Sequence, residues 1–190
     1  MTHDGFCPAL VVTLATILAV PCACAEDGAM AGKSRTGREI VLEATVPAPP
    51  ETLFRLWTTD EGIREFFAPA SHVVAEPGGA YTIIFDPRND PTGEKIGTNG
   101  CRILRFEPSR VLSFEWKGTP AMVEMNRRPF PTWVDVTFDS ISVPTGYTRV
   151  RLAHYGFGQG GAWDQAFAFF SGEHGWPTVM QRLQGLLEKK

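Results

Sequence analysis

TRVRLAHY, residues 148–155, places Val150, Leu152 and His154 in alternation with Arg149 and Arg151, the period of two that marks a strand with one buried face. A glycine cluster follows, Gly156 to Gly161 (GFGQGG), and beyond it the chain turns helical. Trp176, Met180, Leu183 and Leu187 recur at i, i+4, i+7 and i+11, so they share one helical face. A long apolar helix that closes a run of strands must bury its stripe against the sheet those strands form.

Working back from this segment, Arg38 to Val46 (REIVLEATV) reads as a first strand, ended by Pro47 and Pro49-Pro50. Two short helices follow: Glu51 to about Trp57, and a second capped at Thr59-Asp60 that runs through Ile63, Phe66 and Phe67. Six more strands are expected, at 72–76, 80–86, 97–106, 111–117, 132–140 and 148–155. Gly78-Gly79, Pro108-Ser109 and Pro144-Thr145-Gly146 supply turns. No helical pattern separates these strands, which predicts an antiparallel meander. The expected class is α+β: a curved antiparallel sheet of about seven strands wrapped on a long C-terminal helix, with two short helices after the first strand.

Alternation assigns Tyr81, Ile83 and Phe85 to the concave face, with Leu112, Phe114 and Trp116, Val134, Val136 and Phe138, and Val150, Leu152 and His154. Asp135, Thr137 and Asp139 are expected on a polar outer face. The segment around residue 103 supports two incompatible assignments, since Cys101, Ile103 and Arg105 compete with Leu104 and Phe106.

The beginning of the chain is of another kind. Pro8 to Val20 (PALVVTLATILAV) is uncharged and apolar, and Ala23-Cys24-Ala25 precedes Glu26-Asp27. That is the h-region and small-residue cleavage pattern of a signal peptide, and it is shorter than the ~20 residues a bilayer span needs. The expected organisation is a signal peptide at 1–25, a flexible polar leader at 26–37 and one domain at 38–190. The mature protein is then expected to be periplasmic or secreted, without a transmembrane span. Cys22 and Cys24 raise acylation as a second route, but Cys24 follows Pro21-Cys22-Ala23 rather than a Leu-Ala-Gly-like triplet, which favours free export. Three of the four cysteines leave with the signal, so only Cys101 remains and no intrachain disulfide can form in the mature chain. The net charge of −3, without a clustered basic face, gives no nucleic-acid footprint.

Gly156, Gly158 and Gly161 formally satisfy G-x-G-x-x-G. A dinucleotide site also needs a second parallel strand with an acidic residue about 20 residues on, where this sequence is helical. No cofactor is expected, and the glycines read instead as a flexible loop at the mouth of a cavity. His72, His154 and His174 lack metal-ligand spacing, so no metal is expected. No serine sits in a nucleophile elbow. His154 keeps two readings: a polar contact or general base within an apolar set, or a core histidine satisfied inside the protein. The aromatics are the strongest signal, with Trp163, Phe167 and Phe170 sharing a helical stripe. They suit either a packed core or a lined cavity.

This order of elements resembles the helix-grip fold of the START-like SRPBCC superfamily. More narrowly it resembles the bacterial branch named after activators of a heat-shock chaperone ATPase. The resemblance rests on Val46–Trp57 (VPAPPETLFRLW), Pro77-Gly78-Gly79, Phe106–Trp116 (FEPSRVLSFEW), Arg149–Phe157 (RVRLAHYGF) and Gly175–Glu188 (GWPTVMQRLQGLLE). The superfamily includes carriers, cyclases and chaperone activators. Two features depart from the branch: the export signal, which argues against work on an ATP-driven chaperone, and the long segment Thr119–Pro131 (TPAMVEMNRRPFP). The latter is a candidate lid or partner-contact loop.

The expected function is an exported binding protein for a small apolar or amphipathic molecule, in a cavity lined by Phe85, Phe114, Trp116, Phe138, His154, Trp163 and Phe167. The alternatives are a cyclase- or hydratase-type enzyme that moves a proton through His154, and a cavity-less interaction module using residues 119–131.

Overall fold

Alternation of Ile40, Leu42 and Ala44 with Glu39, Val41 and Glu43 makes β1 (Arg38–Val46) a strand with one face in the core. The computed structural model describes residues 37–189, so the segments expected from sequence to be a signal peptide (1–25) and, apart from Gly37, a flexible leader (26–37) lie outside the described residues. After β1 come α1 (Pro50–Thr58) and α2 (Asp60–Phe66). The proline at the start of α1 lacks only an N–H that no helix would use there. Thr59 ends α1 and caps α2, its hydroxyl oxygen accepting the Gly62 N–H at 3.0 Å. Asp60 ties α2 to the next strand, accepting the Ser71 hydroxyl at 2.7 Å and the Val73 N–H at 3.0 Å.

The remaining strands are β2 (Ala70–Val73), β3 (Tyr81–Ile84), β4 (Ile103–Glu107), β5 (Val111–Trp116), β6 (Thr132–Ile141) and β7 (Tyr147–Phe157). Five form an antiparallel sheet in the order β1-β7-β6-β5-β4, and β2-β3 forms a second ladder. The Ala80–Arg102 bridge and the Tyr81 N–H to Cys101 carbonyl bond of 2.9 Å join the two. The antiparallel α+β helix-grip architecture expected from sequence is therefore present. Among the described residues, no helix is long and apolar enough to cross a membrane.

The contested segment at β4 resolves as a bulge. Ile103 faces Phe114 and Arg105 faces Ser113, so Leu104 is an extra residue and the alternation changes phase across it. Ile103 points into the core before the bulge and Phe106 packs on the core after it. Both sequence assignments were right, each for half of the segment.

The outer face departs from expectation. Leu104, Trp133, Ala153 and Tyr155 form a second buried cluster there, with Trp133 stacked on Tyr155 at 5.3 Å between ring centres. Asp135, expected in solvent, is buried on the same face and accepts the Ser113 hydroxyl at 2.7 Å. A carboxylate tolerates such burial only with donors around it.

The C-terminal helical region spans α3 (Gly161–Ser171) and α4 (Trp176–Leu187), interrupted at residues 172–175. The two apolar stripes explain the break. At 3.6 residues per turn, Trp176 would fall about 120° away from Phe170 around one continuous helix. A single straight helix could not bury both. Gly172 ends α3, and Gly175 passes so close to Phe170 that a Cβ there would strike its carbonyl oxygen. α4 then lays Trp176, Met180, Leu183 and Leu187 against the core, packing on β1 and α2.

The glycine cluster is not a loop at a cavity mouth. Gly156 has φ +86°, and a Cβ there would meet the Pro131 carbonyl; one on Gly158 would meet the Trp163 indole. These glycines permit close packing at the end of β7.

Candidate functional site

Two aromatic regions meet beneath the α3–α4 junction. The inner one is closed. Trp57, Tyr81, Phe114 and Trp176 are fully buried, with the Tyr81 and Phe114 rings 4.1 Å apart and Trp116 and Trp176 4.7 Å apart. Tyr81 donates its hydroxyl to the Trp57 carbonyl at 3.0 Å, and burial raises its pKa well above the ordinary tyrosine value.

His154 belongs to this closed region. Its Nδ1 accepts the indole N–H of Trp176 at 2.9 Å, which places the proton of the neutral imidazole on Nε2. Nε2 is buried and has no hydrogen-bond partner among the described residues. Phe157 and Phe170 flank the ring at 4.5 and 5.2 Å between centres. Burial pulls the His154 pKa down to about 3, so the ring is neutral at pH 7. His154 thus sits in the core as the second reading has it, but it is satisfied there only at Nδ1, by Trp176, and not at Nε2.

The outer region is a cleft of about 270 Å³. Phe67, Trp116, Phe170 and Trp176 line it as buried aromatics, with the Phe67 and Trp116 rings stacked at 6.0 Å, and Phe85, Phe169, Val179 and residues 96–98 complete the lining. Phe85, Ile96 and Phe169 stand 39, 42 and 41% exposed at its rim. The wall at 96–98 belongs to a loop held by Asp90, whose carboxylate accepts the N–H groups of Glu94, Lys95 and Ile96 at 3.0, 3.0 and 2.9 Å. These bonds, that from Ile96 foremost, hold the Asp90 carboxyl below the usual carboxylate range. Thr98 pins the loop to β3, donating to the Tyr81 carbonyl and accepting the Ile83 N–H, both at 2.7 Å. Lys117 also lines the cleft, and its ammonium donates to the Glu94 carbonyl at 2.7 Å.

Of the seven residues expected from sequence to line a cavity, Phe85 and Trp116 border this cleft. Phe114 lies behind Trp116, at 5.8 Å between ring centres. His154 lies behind Trp176. Phe138 packs against Phe54 at 5.8 Å. Phe167 packs on Phe157 at 5.2 Å, and Trp163 joins the edge of the core. The space expected between sheet and helix is filled by side chains, and the opening lies at its margin.

Sequence reasoning missed Ile96, Lys117 and Phe169. Phe169 had a signal: two successive helical aromatics cannot both face the core, so one of Phe169 and Phe170 had to turn outward. The 119–131 segment is tied down by Asn126, which accepts the Gly118 N–H at 3.0 Å and donates to the Thr119 carbonyl at 2.8 Å. Its own Met125 and Phe130 are buried.

The family described as Activator of Hsp90 ATPase homolog 1-like protein matches residues 47–188. The chain belongs to this family. Solved structures share its fold. Protein MLL2253 of Mesorhizobium loti is 25% identical, with a TM-score of 0.59 over 80% of this chain and 98% of its own. PFC0360w, an HSP90 activator from Plasmodium falciparum, is 18% identical, with a TM-score of 0.55 over 80% of this chain and 97% of its own. CalC, a self-sacrificing resistance protein from Micromonospora echinospora, is 19% identical, with a TM-score of 0.54 over 80% and 95%. The last two likenesses establish the fold alone. No curated protein matches the sequence. The family assignment agrees with the START-like, helix-grip architecture expected from sequence, and that architecture is compatible with ligand binding.

Proposed function

We propose that this chain is an exported protein that binds a small apolar or amphipathic molecule in the cleft beneath the α3–α4 junction. One observation carries the reading: Phe85, Ile96 and Phe169, among the few large hydrophobic side chains left exposed, converge on one opening lined by buried aromatics. Leaving three such side chains in water costs burial energy that a bound apolar molecule recovers. The volume of about 270 Å³ lies under the ~300 Å³ low end of ligand pockets, which counts against a carrier of large molecules and leaves room only for a compact ligand. Export is supported by the apolar run at 8–20 and the Ala23-Cys24-Ala25 pattern.

An acid–base role for His154 has no such support. Its Nδ1 lone pair is engaged by Trp176, and His154 does not line the cleft.

Native mass spectrometry of the protein purified from its own host, beside a denatured sample, tests the reading. A reproducible extra mass that leaves on denaturation supports it. A bare protein mass, under conditions where a control lipid-binding protein keeps its ligand, argues against it. N-terminal sequencing of the envelope fraction should give a mature start near residue 26; recovery of the intact chain from the cytoplasm would overturn export.

A further inference from the structure

The cleft is not electrically neutral. Its lining contains one lysine, Lys117, and one histidine, His174, and no carboxylate. After burial, Cys101, then Asp90 and, least, Glu94 act on Lys117 from outside the lining and favour its charged form, while the nearby Arg128 opposes it. Asp90's carboxylate is already occupied by three backbone N–H groups. Burial, the largest influence on Lys117, draws its pKa below the ordinary lysine value.

Of the other polar side chains in the lining, Trp116 has a buried indole N–H without an acceptor among the described residues, a second donor that an anionic acceptor would satisfy. The Thr98 hydroxyl spends its proton on the Tyr81 carbonyl and accepts the Ile83 N–H. His174 is exposed beside the opening. Lys117 has three ammonium donors and, among the described residues, uses one on the Glu94 carbonyl. A cation with free donors at the edge of an apolar cleft is satisfied by an acceptor that bears negative charge.

Size narrows the class further. An apolar cavity of about 150 Å³ holds one benzene ring, so about 270 Å³ suits one or two fused rings. The stacked rings of Phe67 and Trp116 in the lining favour a flat apolar body.

We propose that the ligand of this cleft is an amphipathic anion, a compact one- or two-ring aromatic body carrying a carboxylate that pairs with the Lys117 ammonium. This rests on the cleft being a ligand site, as argued above.

The test uses 2-naphthoate and its uncharged counterpart 2-naphthalenemethanol at pH 7.5, titrated by calorimetry and by fluorescence of Trp116 and Trp176 in the wall. Three variants accompany the wild type: Lys117→Met, Lys117→Arg and the rim variant Phe169→Ala. The expected result is that naphthoate binds about tenfold more tightly than the alcohol. Lys117→Met should erase that preference, and Lys117→Arg should retain it. Phe169→Ala should weaken both probes.

Equal affinity for the two probes, or a preference that survives Lys117→Met, would overturn the anion assignment and leave the cleft as an apolar site. Failure of both probes to bind, or binding indifferent to Phe169→Ala, would overturn the cleft reading itself.

Discussion

The buried cluster around Trp57, Phe114 and Trp176 and the cleft bordered by Phe85, Ile96 and Phe169 are built from similar side chains. They even share a wall, since Trp116 and Trp176 belong to both. One is closed on every side; the other opens to solvent. Their difference teaches that a dense set of inward aromatics says little about a cavity. What decides is whether a neighbouring element covers them. α4 seals the cluster, whereas the corner between α3 and α4 leaves Phe85 and Phe169 uncovered.

The sharpest way to break this distinction is Trp176→Ala, which should open the closed cluster. Loss of a fully buried indole is expected to cost about 3–5 kcal/mol, read as a fall in the urea midpoint at constant m-value. A cost below about 1 kcal/mol would show that the cluster is loosely packed and that the two regions are alike. The neutral state of His154 gives a second handle. Its pKa is about 3 in the fold against an ordinary 6.5, so the unfolded chain binds the extra proton between those values. Stability should therefore be complete above pH 6.5 and decline as pH falls towards 3, by about 1.4 kcal/mol per pH unit from this residue. Urea midpoints at pH 7, 6 and 5 for the wild type and His154→Phe would isolate the effect. Parallel slopes would mean that His154 is not buried neutral.

Smaller again is the hydrogen bond between the two side chains. Trp176→Phe keeps most of the apolar volume but leaves His154 Nδ1 without its donor, at an expected cost of about 2 kcal/mol or less. At the other extreme, Phe169→Ala should change stability by less than about 0.5 kcal/mol, because the side chain is 41% exposed. A large loss there would show that the rim is structural rather than available to a ligand.

Much of the fold was legible because its strands keep strict alternation. Val134, Val136 and Phe138 in β6 and Val150, Leu152 and His154 in β7 announce their faces directly. The helix pair after β1 carried its own punctuation in Pro50 and Thr59. Legibility failed where one segment holds two patterns. The bulge at Leu104 superposes two phases of alternation, and Trp133 and Tyr155 occupy the face that their neighbours' pattern marks as polar. The site was harder to read. Phe85 and Trp116 were visible as inward aromatics, but Ile96 comes from an irregular loop and Phe169 lies off its helix's stripe. Ile96 has no periodicity to read, and Phe169 could be read only as the aromatic that its helix's inward stripe leaves out. Lys117 sits just past the end of β5, where a lysine ordinarily signifies a solvated edge.

The corner at residues 172–175 has a consequence for how such a protein changes over time. The connector is only four residues long, between Ser171 and Trp176, yet it sets the angle between α3 and the sheet. Inserting or deleting a residue there would shift α3 against α4, moving Phe169 at the opening together with Ala166 and Phe170 in the core. The length of this one short connector therefore couples opening and core, so a lineage that changed it would have to repack the side chains around Phe170 as it reshaped the cleft.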